Sequence, residues 1–288
     1  MLKLLNELTK FGIVIFVVLT GIAGYMTGYL VESSLDWTHF FKFIAGLYLL
    51  SSGSLALNQV QERNLDAKMP RTKNRPIASG KLTPAAGAIL AACFIISGSY
   101  LLIEVSILSA FLGWLTVILY NIFYTYFWKP KMVYAAIPGA LPGAIPVSMG
   151  YAAVNPEIFN SESVYLFLIL FLWQMPHFWA LALRYKEDYR AGNVPTLPAA
   201  LGVKKTTNQM IFFTYLYVGL ALISPWFLNT SWFYMFLVVP FSLFLFYETK
   251  RFSKAGGGVG WLRYFMSINL SILIFLFVPA LDKWNLWF

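Results

Sequence analysis

Long apolar runs separated by short polar stretches extend along almost the whole chain. Those near 11–31, 39–57, 84–103, 105–127, 132–153, 163–183, 209–228, 231–248 and 262–281 are each close to the ~20 residues that an α-helix needs to cross a hydrocarbon core. The pattern predicts an all-α, polytopic transmembrane helical bundle of about nine helices. Pro138, Pro142 and Pro146, interleaved with Gly139 and Gly143, predict that the fifth span is broken or kinked. The first run follows Met1–Lys10 as the apolar core of a signal peptide would, but no A-x-A site follows it, so it is expected to remain as a helix. No soluble domain, long linker or low-complexity tract interrupts the pattern, and residues 1–288 are expected to form one integral-membrane domain.

Composition agrees with the bilayer as solvent. Hydrophobic residues make up 59% of the chain and charged residues 11%, well below the usual quarter or so of soluble domains. Mean hydropathy is +0.67. With nine spans, all of the 21 basic residues except Lys42 and Lys283 fall on one side. Cytoplasmic loops carry such an excess, which places the N-terminus inside and the C-terminus outside. The formal charge of +9 is therefore explained by the lipid bilayer as partner, and nucleic acid is not needed. Trp37, Trp128, Trp232, Trp261, Trp284 and Trp287 lie near span ends and are expected as headgroup-level anchors. The single cysteine, Cys93, rules out a disulfide framework or Cys-based zinc site within the chain and is expected to serve packing.

Two acidic clusters stand out on the basic side. Asn58, Glu62 and Asp66 are spaced by four, which stacks them along one helix face, and Glu187-Asp188 follows the sixth span. One amide and several carboxylate oxygens are suitable ligands for a hard divalent cation, Mg2+. The first cluster runs into a loop holding Arg63, Lys68, Arg71, Lys73, Arg75 and Lys81. Acids among cations suit an anion bound partly through metal and partly through direct contacts, as a diphosphate would be. The plainer alternative is that this basic run only obeys the positive-inside rule.

Asn58-x3-Glu62-x3-Asp66 followed by RTKNRP at 71–76 resembles the first signature of the UbiA-type intramembrane prenyltransferases. ELTK at 7–10, Tyr124-Thr125 with Lys129, IPGALPGAIPVSMGYAA from Ile137, WQMPHFWALA from Trp173 and EDYRAGNVPTLP from Glu187 are similar to the branch of that family that farnesylates haem. The resemblance implies a UbiA-like bundle around a central cavity in a bacterial cytoplasmic membrane, with farnesyl diphosphate and haem b as substrates and Mg2+ as cofactor. It implies Glu62, Asp66 and Asp188 as metal ligands, with Asn58 beside them in the catalytic set. Arg71, Lys73, Asn74, Arg75 and Lys129 are implied around the diphosphate. A haem A synthase or a haem-copper oxidase assembly is the implied downstream partner.

The chain departs from that pattern at Glu62 and Asn64, where Asp is more usual, and at Ala191-Gly192-Asn193, where the Ala-Gly pair is displaced by one place. Phe11 and Gly12 stand where a Pro-Arg pair often follows the first lysine. Gln174 and His177 share a face of the sixth span and are the candidate haem contacts, with His177 reading alternatively as a hydrogen-bonded packing residue. Two other functions fit less of the sequence: prenylation of a quinone precursor or chlorophyll-type ring, and a transporter or lipid-binding scaffold. The charge asymmetry predicts that cysteines introduced at Lys73, Lys205 and Lys254 react with an impermeant thiol reagent only from the cytoplasmic side. Labelling of any one from outside breaks the alternation.

Overall fold

A computed structural model describes residues 2–29 and 34–284, and no strand occurs among them. A short α1 (Leu2–Thr9) leads through Lys10 into α2 (Phe11–Gly28). After α3 (Trp37–Gln61) come the one-turn α4 (Arg63–Asp66), α5 (Pro84–Val105) and α6 (Ile107–Ile118), which continues as a π-helical segment, Leu119–Trp128, into α7 (Lys129–Lys131). The fifth span is α8 (Ala136–Gly139) and α9 (Leu141–Val154), followed by α10 (Ser161–Arg184), α11 (Lys186–Ala191) and α12 (Leu197–Leu222). The chain closes with α13 (Trp232–Lys254), α14 (Trp261–Ile272), a second π segment Leu273–Phe277, and α15 (Val278–Lys283). Several starts are set by local chemistry. The side chains of Asp36, Thr83 and Asn160 accept from the amides of His39, Ala86 and Ser163, meeting donors that a helix leaves unpaired at its first turn.

Among the described residues, eight helices are long and apolar enough to cross a membrane. The predicted seventh span, 209–228, falls on α12. Inside this helix a kink at Gly202 (φ 81°) and the polar run Lys204–Gln209 interrupt the apolar sequence, and the uninterrupted apolar part, from Met210 to Leu222, is too short alone. Even so, α12 runs between the same two ends of the bundle as its neighbours. Near its start, Val203 and Thr207 lie against Gly257 beyond the end of α13, and just past its far end Phe227 packs on Tyr165 near the start of α10. Among the described residues, nine helical rods therefore traverse the bundle, in agreement with the sequence pattern.

The two ends differ in character. Lys42 pairs with Glu104 at 2.8 Å and Lys283 with Glu162 at 3.4 Å at the end opposite the acidic clusters. Lys283 also donates to the carbonyl of Thr27, and the indole of Trp284 to Met26 O, so the end of the chain is fastened to α2. Trp37 and Trp232 are exposed at helix starts, as anchors would be, whereas Trp261 is turned inward and donates to Ala180 O. Trp287 and the end of the first predicted span lie outside the described residues. Cys93 is exposed on α5, not packed, because α5 is a peripheral helix whose outer face also carries Ile89, Ile96 and Tyr100.

The centre of the bundle is α9. It gives Ala144, Val147 and Tyr151 to one apolar core, shared with α10, α12, α13 and α14, and Ile145, Met149 and Ala152 to a second, shared with α2, α3 and α6. Such a position requires close approach. A Cβ on Gly24 would stand 1.9 Å from Val147 O, and one on Gly150 1.9 Å from Gly21 O, so α2 and α9 touch backbone to backbone. The broken fifth span appears as expected, with the division at Ala140 between α8 and α9 and Pro146 inside α9. Gly150→Leu should separate α2 from α9 and lower the unfolding temperature in detergent, by an overpacking cost of at least ~1–3 kcal/mol. Gly219→Ala, at a position with nothing within 4 Å, serves as the control that should not fall. An unchanged midpoint for Gly150→Leu would refute the close crossing.

Candidate active site

The first acidic cluster folds largely as its spacing predicts. Although α3 ends at Gln61, the amide of Glu62 still bonds to Asn58 O at 2.9 Å and that of Asp66 to Glu62 O at 2.8 Å. The stack therefore carries on through the helix end. All three side chains are buried, with Asp66 only 1% exposed, and all three line one cavity of about 570 Å³.

Buried carboxylates need partners, because desolvation of an unpaired charge costs several kcal/mol. The partners arrive from two other segments. Arg75 places one guanidinium nitrogen 2.7 and 2.9 Å from the two Asp66 oxygens, within the turn that Thr72 ties down by donating to Asp66 O. Lys129, at the end of the π segment, meets Glu62 Oε1 at 2.5 Å. Burial pushes the Glu62 carboxyl up, but Lys129, Lys10 and Arg75 outweigh it and hold the group below the usual carboxylate range.

Lys10 is a cation of the cavity mouth that spacing did not reveal. It adopts a left-handed backbone (φ 53°) at the joint between α1 and α2, which turns its ammonium inward to donate to Asn58 Oδ1 at 2.8 Å. Among the described residues no carboxylate pairs with it. Burial, with Arg75 adding to it, lowers its pKa to about 7. The amide of Asn58 is further fixed by Thr125 Oγ1 at 3.1 Å and by the Tyr120 hydroxyl at 3.3 Å.

The π segment brings Tyr120, Tyr124 and Lys129 to the same wall. Tyr120 and Lys129 are nine residues apart, which in an α-helix is two and a half turns and places them on opposite faces. With i→i+5 bonding, at about 4.4 residues per turn, the interval is close to two turns and places them on one face. The rings of Tyr120 and Tyr124 stack at 5.7 Å and 12°. Below them the cavity is lined by Leu50, Met149, Pro146, Phe16 and Trp173.

The second acidic pair divides. Asp188 accepts from the Arg71 amide at 3.3 Å, while Glu187 points outward and pairs with Arg190 at 2.9 Å. Consecutive residues on the short α11 point about 100° apart, so only one of the two can face the first loop. Arg71 lies 4.3 Å over the Tyr185 ring and lines the cavity, as do Arg75, Lys129 and Tyr189. Lys73 and Asn74 are exposed and do not line it. The shifted Ala191-Gly192-Asn193 also has a structural reason. Gly192 faces Leu65 and Met69, with 2.9 Å to Leu65 Cδ1 for an added Cβ, and Asn193 takes the left-handed turn (φ 54°).

Gln174 and His177 both reach the cavity, in different ways. Gln174 Nε2 donates to Ala140 O at 3.1 Å and to Leu170 O at 3.2 Å, which uses it to brace the break in the fifth span. His177 is held between Trp173 (4.5 Å) and Phe265 (5.0 Å), with Asn269 on the same wall, and its Nδ1 has no hydrogen-bond partner.

Chemically, the mouth holds Lys10, Arg71, Arg75 and Lys129 against Glu62 and Asp66, with Asp188 beyond the rim. This excess of cations suits an anion carrying several charges. Among the described residues no three acidic, histidine or cysteine side chains converge as a ready metal cage. Mg2+ is commonly held by one or two carboxylates together with substrate phosphates, and the donors facing this cavity are hard oxygens, so the set fits that ion.

A nine-helix bundle enclosing one polar-mouthed cavity is the architecture of a known family. Residues 12–271 match the model of the UbiA prenyltransferase family, and the chain belongs to it. It is 52% identical, over 100% of its own length and 99% of the relative's, to the protoheme IX farnesyltransferase of Bdellovibrio bacteriovorus. Its fold is similar to that of a digeranylgeranylglyceryl phosphate synthase (TM-score 0.77, 18% identity, 97% and 98% of the two chains). It also resembles a UbiA homologue from Archaeoglobus fulgidus bound to GPP and Mg2+ (TM-score 0.65, 11% identity, 96% and 99% covered).

The pairing at the mouth can be tested apart from activity. Arg75→Gln leaves Asp66 buried without its partner and should cost ~3–5 kcal/mol of stability. Adding Asp66→Asn should recover most of that loss, because an amide needs no counter-charge. If the double variant melts no higher than Arg75→Gln alone, the ion pair is not what Arg75 contributes.

Proposed function

We propose that this integral membrane protein transfers the farnesyl group of farnesyl diphosphate to a vinyl group of haem b, with addition of water, to give haem O and diphosphate. The observation that carries this reading is the full-length 52% identity to a protoheme IX farnesyltransferase. The cavity supports it, with a cationic mouth for the diphosphate above an aromatic and apolar chamber for the two hydrocarbon-rich reactants.

Lys10, Arg71, Arg75 and Lys129 hold the diphosphate oxygens, and Lys73 and Asn74 lie further out on the same loop. Glu62, Asp66 and Asp188, with Asn58 beside them, are assigned to Mg2+. When bound, the ion supplies positive charge that offsets the negative charge developing on the leaving group. The bond between farnesyl C1 and the bridging oxygen breaks, and its electron pair leaves with the diphosphate. The stacked faces of Tyr120 and Tyr124 stand nearest the mouth and provide electron-rich surface for the allylic cation. The vinyl π-electrons of haem b then form the new carbon–carbon bond to C1. Positive charge passes to the carbon next to the porphyrin, where water adds and loses a proton, leaving a hydroxyethylfarnesyl side chain. His177, with Nδ1 unpartnered between two aromatic rings, is assigned to the porphyrin, and Gln174 braces the wall beside it.

The loops bearing this site are assigned to the cytoplasmic side of a bacterial inner membrane. The product would pass to a haem A synthase or a haem-copper oxidase assembly. Purified protein given radiolabelled farnesyl diphosphate, Mg2+ and haem b should form labelled haem O, whereas aromatic acids in place of haem b should give nothing. Transfer to an aromatic acid alone would replace this reading with the quinone-type one. Asp66→Asn and Asp188→Asn should each lower turnover by about 10²–10³, and the double variant should be little worse than either. Normal Mg2+-dependent turnover in either would remove that aspartate from the site. His177→Ala should weaken haem binding while farnesyl diphosphate binding is kept, and unchanged haem affinity would return His177 to packing.

A further inference from the structure

A second charged cluster lies outside the cavity, where α13 ends and α14 begins. Glu248 is fully buried (0% exposed) and is the only acid between Asp188 and Asp282. Two arginines share it. Arg251 donates through Nε (3.2 Å) and an Nη (3.0 Å) to one carboxylate oxygen, and Arg263 donates to the other at 2.5 Å. The turn between the helices makes this possible, since Gly256, Gly257 and Gly260 take left-handed backbone and fold α14 back beside α13.

If the role were only to tie α13 to α14, one arginine on one carboxylate would suffice. Two leave a net positive charge fixed in place. Each guanidinium carries five N–H donors, and among the described residues the donors not spent on Glu248 have no protein partner. Both side chains remain open to the outside, Arg251 at 37% and Arg263 at 56%. Beside and below Arg263 on α14, Leu262, Met266 and Leu270 form an exposed apolar stripe along a membrane-spanning helix. Fixed cations directly above a surface that faces acyl chains match the chemistry of a phosphate attached to two such chains.

We infer that Arg251 and Arg263, held by Glu248, form a headgroup site for one anionic phospholipid, whose acyl chains lie along the outer face of α14. The fork of a guanidinium suits phosphate oxygens, and the buried glutamate keeps both forks oriented before the lipid arrives. The site is independent of the transferase reading, since none of its residues lines the cavity.

The test is lipid retention by the purified full-length protein, in detergent micelles containing equal phosphatidylglycerol and phosphatidylcholine of matched chains, read by native mass spectrometry. The wild type should keep phosphatidylglycerol preferentially. Arg251→Gln and Arg263→Gln should each weaken that retention about fivefold, while Lys42→Gln at the opposite end should not. Should the arginine variants fail to fold with Glu248 left uncompensated, the Glu248→Gln/Arg251→Gln/Arg263→Gln triple variant removes the buried charge as well, and it should also lose the lipid. Glu248→Gln alone keeps both cations but holds their forks less firmly, and should weaken retention less than either arginine variant. Equal retention of the two lipids by the wild type, or unchanged phosphatidylglycerol retention without the arginines, overturns the proposal.

Discussion

The arrangement at the mouth of the cavity follows from the cost of taking two carboxylates out of water within a few residues of each other. Glu62 and Asp66 are both buried, and neither is tolerable without a cation delivered from elsewhere in the chain. Arg75 comes from the loop after α4, Lys129 from the end of the π segment, and Lys10 from the joint before α2. The charge requirement of one helix end thus fixes where two other segments finish, while Lys10 is drawn in by the amide oxygen of Asn58. Together they gather more positive than negative charge at one place, a surplus that suits a polyanion.

Below the mouth the constraint changes from charge to shape. The fifth span cannot run straight through its prolines, and at the break the carbonyl of Ala140 accepts both from the Ala144 amide and from Gln174 Nε2, which ties α10 to the bend. Gly139 and Gly143 keep that wall thin. An added Cβ would meet the Tyr124 ring at 2.6 Å in one case and Gln174 Oε1 at 2.0 Å in the other. The polar side chain and the small residues therefore act together, so that the bend is held against α10 without closing the cavity.

Much of this was legible in the sequence, for definite reasons. Apolar runs of membrane length and one-sided Lys and Arg are long-range, redundant signals, and even α12, with its polar first half, was placed by alternation. Asn58, Glu62 and Asp66 were legible because a spacing of four survives the helix end at Gln61. Other parts depend on single backbone choices with no periodic signature. Lys10 reaches Asn58 only through a left-handed residue, and which member of Glu187-Asp188 turns inward is decided by the phase of a six-residue helix. Lys73 and Asn74 belong to the same basic string as Arg71 and Arg75, yet the turn bonds of that loop direct only the latter two into the cavity.

The π segment makes the number of residues, as distinct from their identity, part of the site. Tyr120 and Lys129 share a wall because the interval between them spans close to two whole turns in that local geometry. Inserting or deleting one residue anywhere within the interval is therefore equivalent to turning the lysine through roughly a quarter of a revolution. A change that leaves every side chain of the site chemically intact would still take the cation away from Glu62, so the length of this segment constrains the site independently of its composition.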